Sequence, residues 1–310
     1  MQEEVVIVKK TRVLGHLAVL LTMSVWATTY VSSKQLLAVF TPSQILVVRS
    51  TLGLFVLTLI NHKPLVYAQR GDRLLVALAG FCGIFLYYFL ENTALLFTSA
   101  SNVGVIVATA PFFTLLASHL FLKEEKLRKN YFVGLALSMS GIILLTFTST
   151  EEVAFNPKGD LLALLAIMVW ALYTVLTRVI GRKGYPNLLV TRNMFFYGLI
   201  GHTLVLLISR EALPLALVIQ TPYLYHFLFL GLIASAFCFL TWNFGLRTIG
   251  AIKSSFYLYL SPLITIAVAV TLLSEPFGQL DAIGTALTLS GLLISEYKKA
   301  GESSLSKLLY

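Results

Sequence analysis

The stretch ENTALLFTSASNVGVIVATAPFFTLLASHLFLKEE, residues 91–125, decides the fold because it returns in altered form as WNFGLRTIGAIKSSFYLYLSPLITIAVAVTLLSEP, residues 242–276. The second copy repeats Asn92, Pro111 and Glu124 at positions 151 residues later. Both copies are long, apolar and centred on a proline. This recurrence predicts that the chain consists of two related halves.

The repeat extends to both sides of these stretches. Gly15, Trp26 and Pro42 recur 144 residues later, as Gly159, Trp170 and Pro186. The small change in spacing between the two sets indicates short insertions or deletions in loops. The predicted units are a first repeat over residues 1–150 and a second repeat over residues 151–310, which ends in a short cytoplasmic tail.

Composition places both halves in a membrane. Hydrophobic residues make up 57% of the 310-residue chain and charged residues only 12%, about half of the roughly 25% usual in soluble domains. So little charge cannot cover a water-facing surface, which excludes a soluble globular protein, a disordered chain and a nucleic-acid-binding domain. Cys82 and Cys238 lie in apolar segments, and a disulfide framework is not indicated.

Charged and turn-forming residues divide the sequence into ten apolar stretches, each long enough to cross a bilayer as a helix. Helices are expected because lipid cannot satisfy free backbone groups, and the alternating pattern of barrel strands does not occur in the sequence. The predicted spans are residues 13–33, 43–61, 74–95, 101–122, 131–149, 160–178, 187–209, 222–245, 252–273 and 279–296.

The basic residues indicate how these spans are oriented. With a cytoplasmic N-terminus, eighteen of the 23 lysines and arginines lie in cytoplasmic segments, which is the usual bias of membrane proteins. These are Lys9, Lys10, Arg12, Lys63, Arg70, Arg73, Lys123, Lys126, Arg128, Lys129, Arg178, Arg182, Lys183, Arg247, Lys253, Lys298, Lys299 and Lys307. The net charge of +9 is thus an orientation signal, with both termini in the cytoplasm and no nucleic-acid partner.

Each predicted half has five spans, and because five is odd, the second half enters the bilayer from the opposite side. The loop around Glu124 is basic and predicted inside, whereas the loop around Glu275 is acidic and predicted outside. Inverted repeats are typical of secondary transporters, whose substrate site lies near the midplane. The predicted fold class is an all-α membrane protein with ten transmembrane helices in two inverted five-helix repeats.

This arrangement resembles the drug/metabolite transporter superfamily and, within it, the ten-helix EamA-type family of bacterial metabolite and amino-acid exporters. The resemblance rests on SVWATTY at residues 24–30, on Arg49 and on the two stretches quoted above. It also rests on GLALSMSGIILL at residues 134–145 and GTALTLSGLLIS at residues 284–295. It covers nearly the whole chain.

The resemblance implies a basket-shaped helical fold in a bacterial cytoplasmic membrane. The first four helices of each half would surround a central cavity, and the fifth and tenth would pack outside it. It further implies a secondary transporter, not an enzyme, that exports small amphipathic metabolites by alternating access. Amino acids, including aromatic or apolar ones, are the favoured substrates, and no cofactor, metal or catalytic residue is predicted.

Aromatic residues supply most of the predicted substrate-binding set. Trp26 and Tyr30 are four residues apart and share one helix face, and Trp170 and Tyr173 lie at the related place in the second half. Such rings can stack on a substrate or contact a cation, although helix packing would equally explain them. The aromatic members are Trp26, Tyr30, Tyr87, Tyr88, Trp170, Tyr173, Trp242 and Tyr257.

Four polar residues complete this set. Asn92 and Asn243 are repeat mates, and an amide that both donates and accepts suits a zwitterionic ligand, although hydrogen bonding between helices is an equal alternative. Asn102 and Lys253 lie at the starts of the fourth and ninth spans, where a helix N-terminus attracts anions. A substrate carboxylate is one candidate there, and simple capping is the other.

A second group of residues is assigned to gating and structure. Arg49 and Arg192 are the two arginines inside spans, and each could extend its long side chain to a membrane surface. Structural gating is favoured over direct substrate contact for both. Pro111 and Pro262 lie within spans and predict helix bends. Glu91 lies near a span end, so that no proton relay is predicted.

Other functions require features that the sequence offers only weakly. An exchanger of phosphorylated or nucleotide-linked metabolites would need more cavity Lys or Arg than the two arginines inside spans. An intramembrane enzyme would need clustered acids, histidines or a nucleophile with a base, and a channel would need rings of carbonyls or charges. Predicted partners are a small-molecule substrate, the lipid bilayer and a second copy bound through helices five and ten, whose small residues allow close helix contact.

Overall fold

The computed structural model describes residues 2–122, 129–148 and 157–296, and these are helical with no strand. The all-α prediction is therefore confirmed over these ranges. The long helices are α1 (Gln2–Leu37), α2 (Pro42–Ile60), α3 (Arg70–Ala94), α4 (Ala100–Leu122), α5 (Lys129–Thr148), α6 (Pro157–Arg182), α7 (Asn187–Ile208), α8 (Tyr223–Thr248), α9 (residues 251–272) and α10 (Gln279–Glu296). Cys82 and Cys238 are free thiols.

Seven of these helices are long and apolar enough to cross a membrane, judged by length and composition over the described residues. They are α1, α2, α3, α4, α6, α8 and α9. The protein is thus an integral membrane protein by the character of its helices. Ten crossings and the inverted arrangement stay predictions.

Local sequence explains where helices begin. At α2, the Thr41 side chain accepts a hydrogen bond from the Gln44 amide while the Gln44 side chain accepts one from the Thr41 amide, and Pro42 occupies the first turn. This reciprocal cap satisfies two amides that would otherwise lack partners in lipid. At α4, the Ser99 hydroxyl accepts from the Asn102 amide at 3.0 Å.

The two repeat-related prolines do interrupt their helices. In α4, the α-helix stops at Val107 and restarts at Ala110, one residue before Pro111. In α9, a 3₁₀ turn over Tyr257–Leu260 precedes the segment that carries Pro262. The missing amide and the ring of proline explain both interruptions.

Helices α2 and α7 lie side by side and run antiparallel. Arg192, near the start of α7, donates to the Asn61 carbonyl just after α2 at 2.6 Å. At the other end, Glu211, which follows α7, accepts from Thr41 and Ser43 at 2.5 and 2.6 Å. Contacts at both ends fix the relative direction of these repeat-related helices.

Helices α5 and α10 pack closely along their small residues. The Ser138 hydroxyl donates to the Thr288 carbonyl at 2.8 Å. A methyl group added to Gly141 or Gly291 would collide with backbone of the opposite helix. Close backbone approach of this kind needs small residues. The small-residue faces of α5 and α10 therefore contact each other within one chain. A homodimer through these two helices would have to use their other faces, and it stays a prediction.

Candidate functional site

A cavity lies where α1, α3 and α6 meet. It holds about 20 Å³ of free space, which is room for about one water molecule. A small-molecule site usually has about 300–1,000 Å³, so this conformation is closed around the cavity. The lining residues are Met23, Trp26, Thr29, Tyr30, Tyr87, Tyr88, Glu91, Val107, Ile167, Trp170 and Leu258.

The three tryptophans of the chain form one cluster at this cavity. The ring centroids of Trp26 and Trp170 lie 5.3 Å apart, and Trp242 lies 5.4 and 5.6 Å from them. The Trp26 indole donates to the Ala234 carbonyl at 2.8 Å, whereas the buried indole N–H groups of Trp170 and Trp242 have no partner. Lipid-facing tryptophans would not converge in this way, so helix packing around the cavity positions them.

Glu91 is a cavity residue that the sequence pattern did not identify. Its side chain is 4% exposed, and its carboxylate accepts a hydrogen bond from Tyr87 one turn earlier on α3. Glu91 does lie near the end of α3, as expected, but its side chain lines the cavity because α1 and α6 cover this part of the helix. Its spacing of four residues from Tyr87, already a predicted site residue, was the available signal.

Arg49 is fully enclosed rather than extended to a surface, which corrects the expectation for it. It is 1% exposed, and its guanidinium donates to Ser235 on α8 at 2.7 Å and to the Tyr88 hydroxyl at 2.5 Å. The guanidinium also lies over the Tyr88 ring, 3.8 Å from its centroid. Tyr88 lines the cavity, so Arg49 supports the cavity wall from behind.

Arg192 does not mirror Arg49. Its guanidinium donates to the Asn61 carbonyl at the end of α2 and to the Asn193 side-chain oxygen at 3.4 Å. The two arginines therefore hold different helix contacts: Arg49 lies beside the cavity and Arg192 at one end of the α2–α7 pair.

The predicted asparagines have different surroundings. Asn243 accepts from the Tyr173 hydroxyl at 2.7 Å and donates to Thr191 at 2.9 Å, which joins α6, α7 and α8. Asn92 is buried and donates to the Tyr88 carbonyl of its own helix, while its side-chain oxygen is unpaired. Neither lines the cavity described above, and the structure gives Asn243 the packing role that membrane asparagines often have.

The remaining predicted binding residues lie away from this cavity. Lys253 is exposed, and Tyr257 pairs with His16 through a 2.9 Å hydrogen bond. The start of α4 near Asn102 does hold an anion, but it is the carboxylate of Glu275. That carboxylate accepts from the amides of residues 100 and 101 at 2.8 and 3.1 Å.

Family comparison agrees with this architecture. The EamA-like transporter family matches residues 13–147 and again residues 157–297, which is nearly the whole described chain. The chain belongs to the EamA-like transporter family. The protein is therefore a transporter by family.

Several relatives of this EamA-like chain are transporters by name. An uncharacterized transporter of Archaeoglobus fulgidus is 28% identical and covers 92% of this chain and 98% of its own length. A "probable terminal-alkyne amino-acid exporter" of Streptantibioticus cattleyicolor is 25% identical over 75% of this chain and 76% of its own. One solved crystal structure has a TM-score of 0.62 at 20% identity, covering 93% and 96% of the two chains, and shows the same fold.

Two polar clusters lie at opposite ends of the α2–α7 pair. The Asp72 cluster consists of Asp72, Lys183 and Tyr185, with an ion pair of 2.8 Å and a tyrosine hydrogen bond of 2.5 Å. The hydrogen bond with Asp72 raises the pKa of Lys183, so this lysine is charged at neutral pH. The Glu211 cluster consists of Thr41, Ser43 and Glu211.

The Asp72 cluster leads to the first prediction. Tyr185→Phe is expected to speed hydrogen exchange at the Ala68 amide about fivefold, because that amide donates to the Tyr185 hydroxyl at 2.8 Å and such a bond contributes about 1 kcal/mol. Exchange measured by mass spectrometry on the peptide around residue 68 gives the rate. The matched control is Tyr225→Phe, whose ring is exposed. Equal exchange in both variants would contradict the assigned contact.

Proposed function

We propose that the protein exports small amphipathic metabolites, with amino acids as the favoured substrates, by alternating access through the cavity at Trp26 and Trp170. The observation that carries the proposal is the small aromatic cavity with one buried carboxylate. Stacking surfaces and a single charged group suit a molecule with an apolar body and a polar head. The amino-acid exporter among the relatives is consistent with this substrate class.

We also propose ten crossings in two inverted five-helix repeats, residues 1–150 and 151–310, in a bacterial inner membrane with cytoplasmic termini. Support comes from the antiparallel course of α2 and α7 and from two successive matches to one family. The lysines and arginines near the Asp72 cluster, including Arg70, Arg73 and Lys183, support a cytoplasmic position for that cluster.

Exchange of phosphorylated metabolites is less well supported. Phosphate recognition usually uses arginine or lysine, and the residues that line the cavity include neither. Arg49 lies behind Tyr88 with two of its nitrogens engaged. A negatively charged head group would instead meet the carboxylate of Glu91.

Reconstituted protein tests this function directly. Counterflow of labelled amino acids, nucleosides, sugars and sugar phosphates in proteoliposomes is expected to show movement of amino acids. Trp170→Ala is expected to reduce that flux about tenfold, because it removes a ring that lines the cavity. Phe132→Ala, at an exposed aromatic position on α5, is the control and keeps its flux. Movement of sugar phosphates alone, or unchanged flux in Trp170→Ala, would contradict the proposal.

A further inference from the structure

The carboxylate of Glu91 is buried without a cation bound to it. Its hydrogen-bond partner is the Tyr87 hydroxyl, and no lysine, arginine or histidine of the described residues forms an ion pair with it. Taking a carboxylate out of water is costly unless a positive partner or several donors replace the solvent. One phenol hydroxyl replaces only part of the solvent that a carboxylate would otherwise bind. The Glu91 carboxylate can therefore accept further hydrogen bonds inside the cavity.

The nearest buried cation, Arg49, forms its hydrogen bonds with other residues. Its Nε donates to Ser235 and its Nη2 to Tyr88, while its buried Nη1 has no hydrogen-bond partner. Arg49 does not line the cavity, whereas Tyr88, whose ring it covers, does. The other ionisable side chains around Glu91 are Tyr30 on α1 and Tyr87 on α3. Helix α6 contributes Ile167 and Trp170, which are not ionisable. Because none of the residues that line the cavity is basic, a ligand in the cavity can supply the positive charge that this carboxylate binds.

Aromatic rings make up much of the remaining wall of the cavity. Trp26, Tyr30 and Trp170 lie there with Glu91, and the centroids of Tyr87 and Trp170 are 4.9 Å apart. The negative faces of aromatic rings attract ammonium groups, and a carboxylate attracts them more strongly. A negatively charged group would be repelled by both. The wall thus favours a cation over a neutral or anionic head group.

We infer that Glu91 binds an ammonium group of the transported molecule, so that the substrate class is amines with an apolar body, amino acids included. This inference rests on the proposed transport function and specifies its recognition element. The ammonium group is the required part of the ligand, and a carboxylate on the same ligand is dispensable. The closed conformation opens to admit such a ligand because its present cavity holds only about one water.

The tryptophan cluster supplies the readout. Trp26 and Trp170 line the cavity and Trp242, the third tryptophan of the chain, packs against both, so intrinsic fluorescence of the purified full-length protein reports on ligands there. Three probes with the same ring separate the charges: 2-phenylethylamine carries only the ammonium, phenylalanine carries both groups, and 3-phenylpropionate carries only the carboxylate. Phenylethylamine and phenylalanine are expected to bind, and phenylpropionate to bind about tenfold to a hundredfold more weakly.

Glu91→Gln removes the charge and keeps the shape. It is expected to weaken both amine probes about tenfold to a hundredfold while leaving phenylpropionate binding unchanged or stronger. Asp281→Asn, which changes a hydrogen-bonded carboxylate outside the cavity, is the matched control and keeps wild-type affinities. If Glu91→Gln does not fold, the affinities of the three probes for the wild-type protein and for Glu91→Asp test whether Glu91 binds the ammonium group.

Equal binding of the three probes, or unchanged amine affinity in Glu91→Gln, would overturn the inference. Proteoliposome counterflow separates this failure from failure of the transport proposal. Flux of phenylpropionate without flux of the amines overturns only the role of Glu91. Absence of flux for every organic solute in the panel overturns both.

Discussion

Replacing Arg49 by alanine is expected to lower the free energy of unfolding by about 3–5 kcal/mol, because two buried hydrogen bonds from a charged group are lost and each contributes about 1.5–3 kcal/mol. The guanidinium joins α2 to Ser235 on α8 and to Tyr88 on α3. Its removal leaves two buried hydroxyls without their donor and empties the space beside the Tyr88 ring. Unfolding in mixed SDS and dodecyl maltoside micelles, followed by circular dichroism, measures the change.

Two further arginine variants serve as controls for the stability change in Arg49→Ala. Arg70→Ala removes an exposed guanidinium and is expected to change stability by no more than about 0.5 kcal/mol. Arg49→Lys keeps the charge, but one ammonium does not reproduce the planar fork that reaches both Ser235 and Tyr88, so an intermediate loss is expected. If Arg49→Ala unfolded at the same SDS fraction as Arg70→Ala, the central role of this contact would be disproved.

Introducing valine at Gly83 is expected to cost about 3 kcal/mol and to abolish transport. A Cβ atom there would overlap the Tyr173 ring, whose hydroxyl is fixed on Asn243 at 2.7 Å. The ring centroid of Tyr173 lies 4.8 Å from that of Trp170, so a displaced tyrosine disturbs the cavity wall. Overpacking of a filled interior typically costs about 1–3 kcal/mol. Unfolding and counterflow are measured on the same preparation.

The glycine on the same helix at position 71 is the matched control, because an added methyl group there meets nothing within 4 Å. Gly71→Val is expected to keep both stability and flux close to wild type. Combining Gly83→Val with Tyr173→Leu removes the colliding ring, so the double variant is expected to be more stable than the sum of the single losses predicts. Strict additivity would show that the strain does not lie at Tyr173.

Helix positions could be predicted closely from the sequence because lipid allows few alternatives. The apolar stretch at residues 187–209 corresponds to α7, and the stretch at 279–296 corresponds to α10. Pro111 and Pro262 also predicted the helix interruptions correctly, because the missing amide hydrogen of proline disrupts the helix close to the proline itself. The π-helical turn over Phe81–Leu86 had no visible signal, because an extra residue in a turn leaves the apolar pattern intact.

Side-chain surroundings could be predicted much less well. Distance from a span end describes position along one helix and says nothing about which neighbouring helices cover a residue. The place of Glu91 in the cavity could therefore not be predicted. The same limit applies to Arg49, whose partner Ser235 lies 186 positions away in the sequence. Helix electrostatics predicted that an anion would bind at the start of α4. The sequence did not indicate that this anion is the side chain of Glu275.

The contact between α5 and α10 bears on how the protein is made. Ser138 and Gly141 on α5 find their partners only on α10, which the ribosome delivers about 150 residues later. Until then, α5 presents an unfilled small-residue groove to the bilayer. The α5–α10 contact can therefore form only after α10 has been synthesised, which makes it a late step in assembly of these helices.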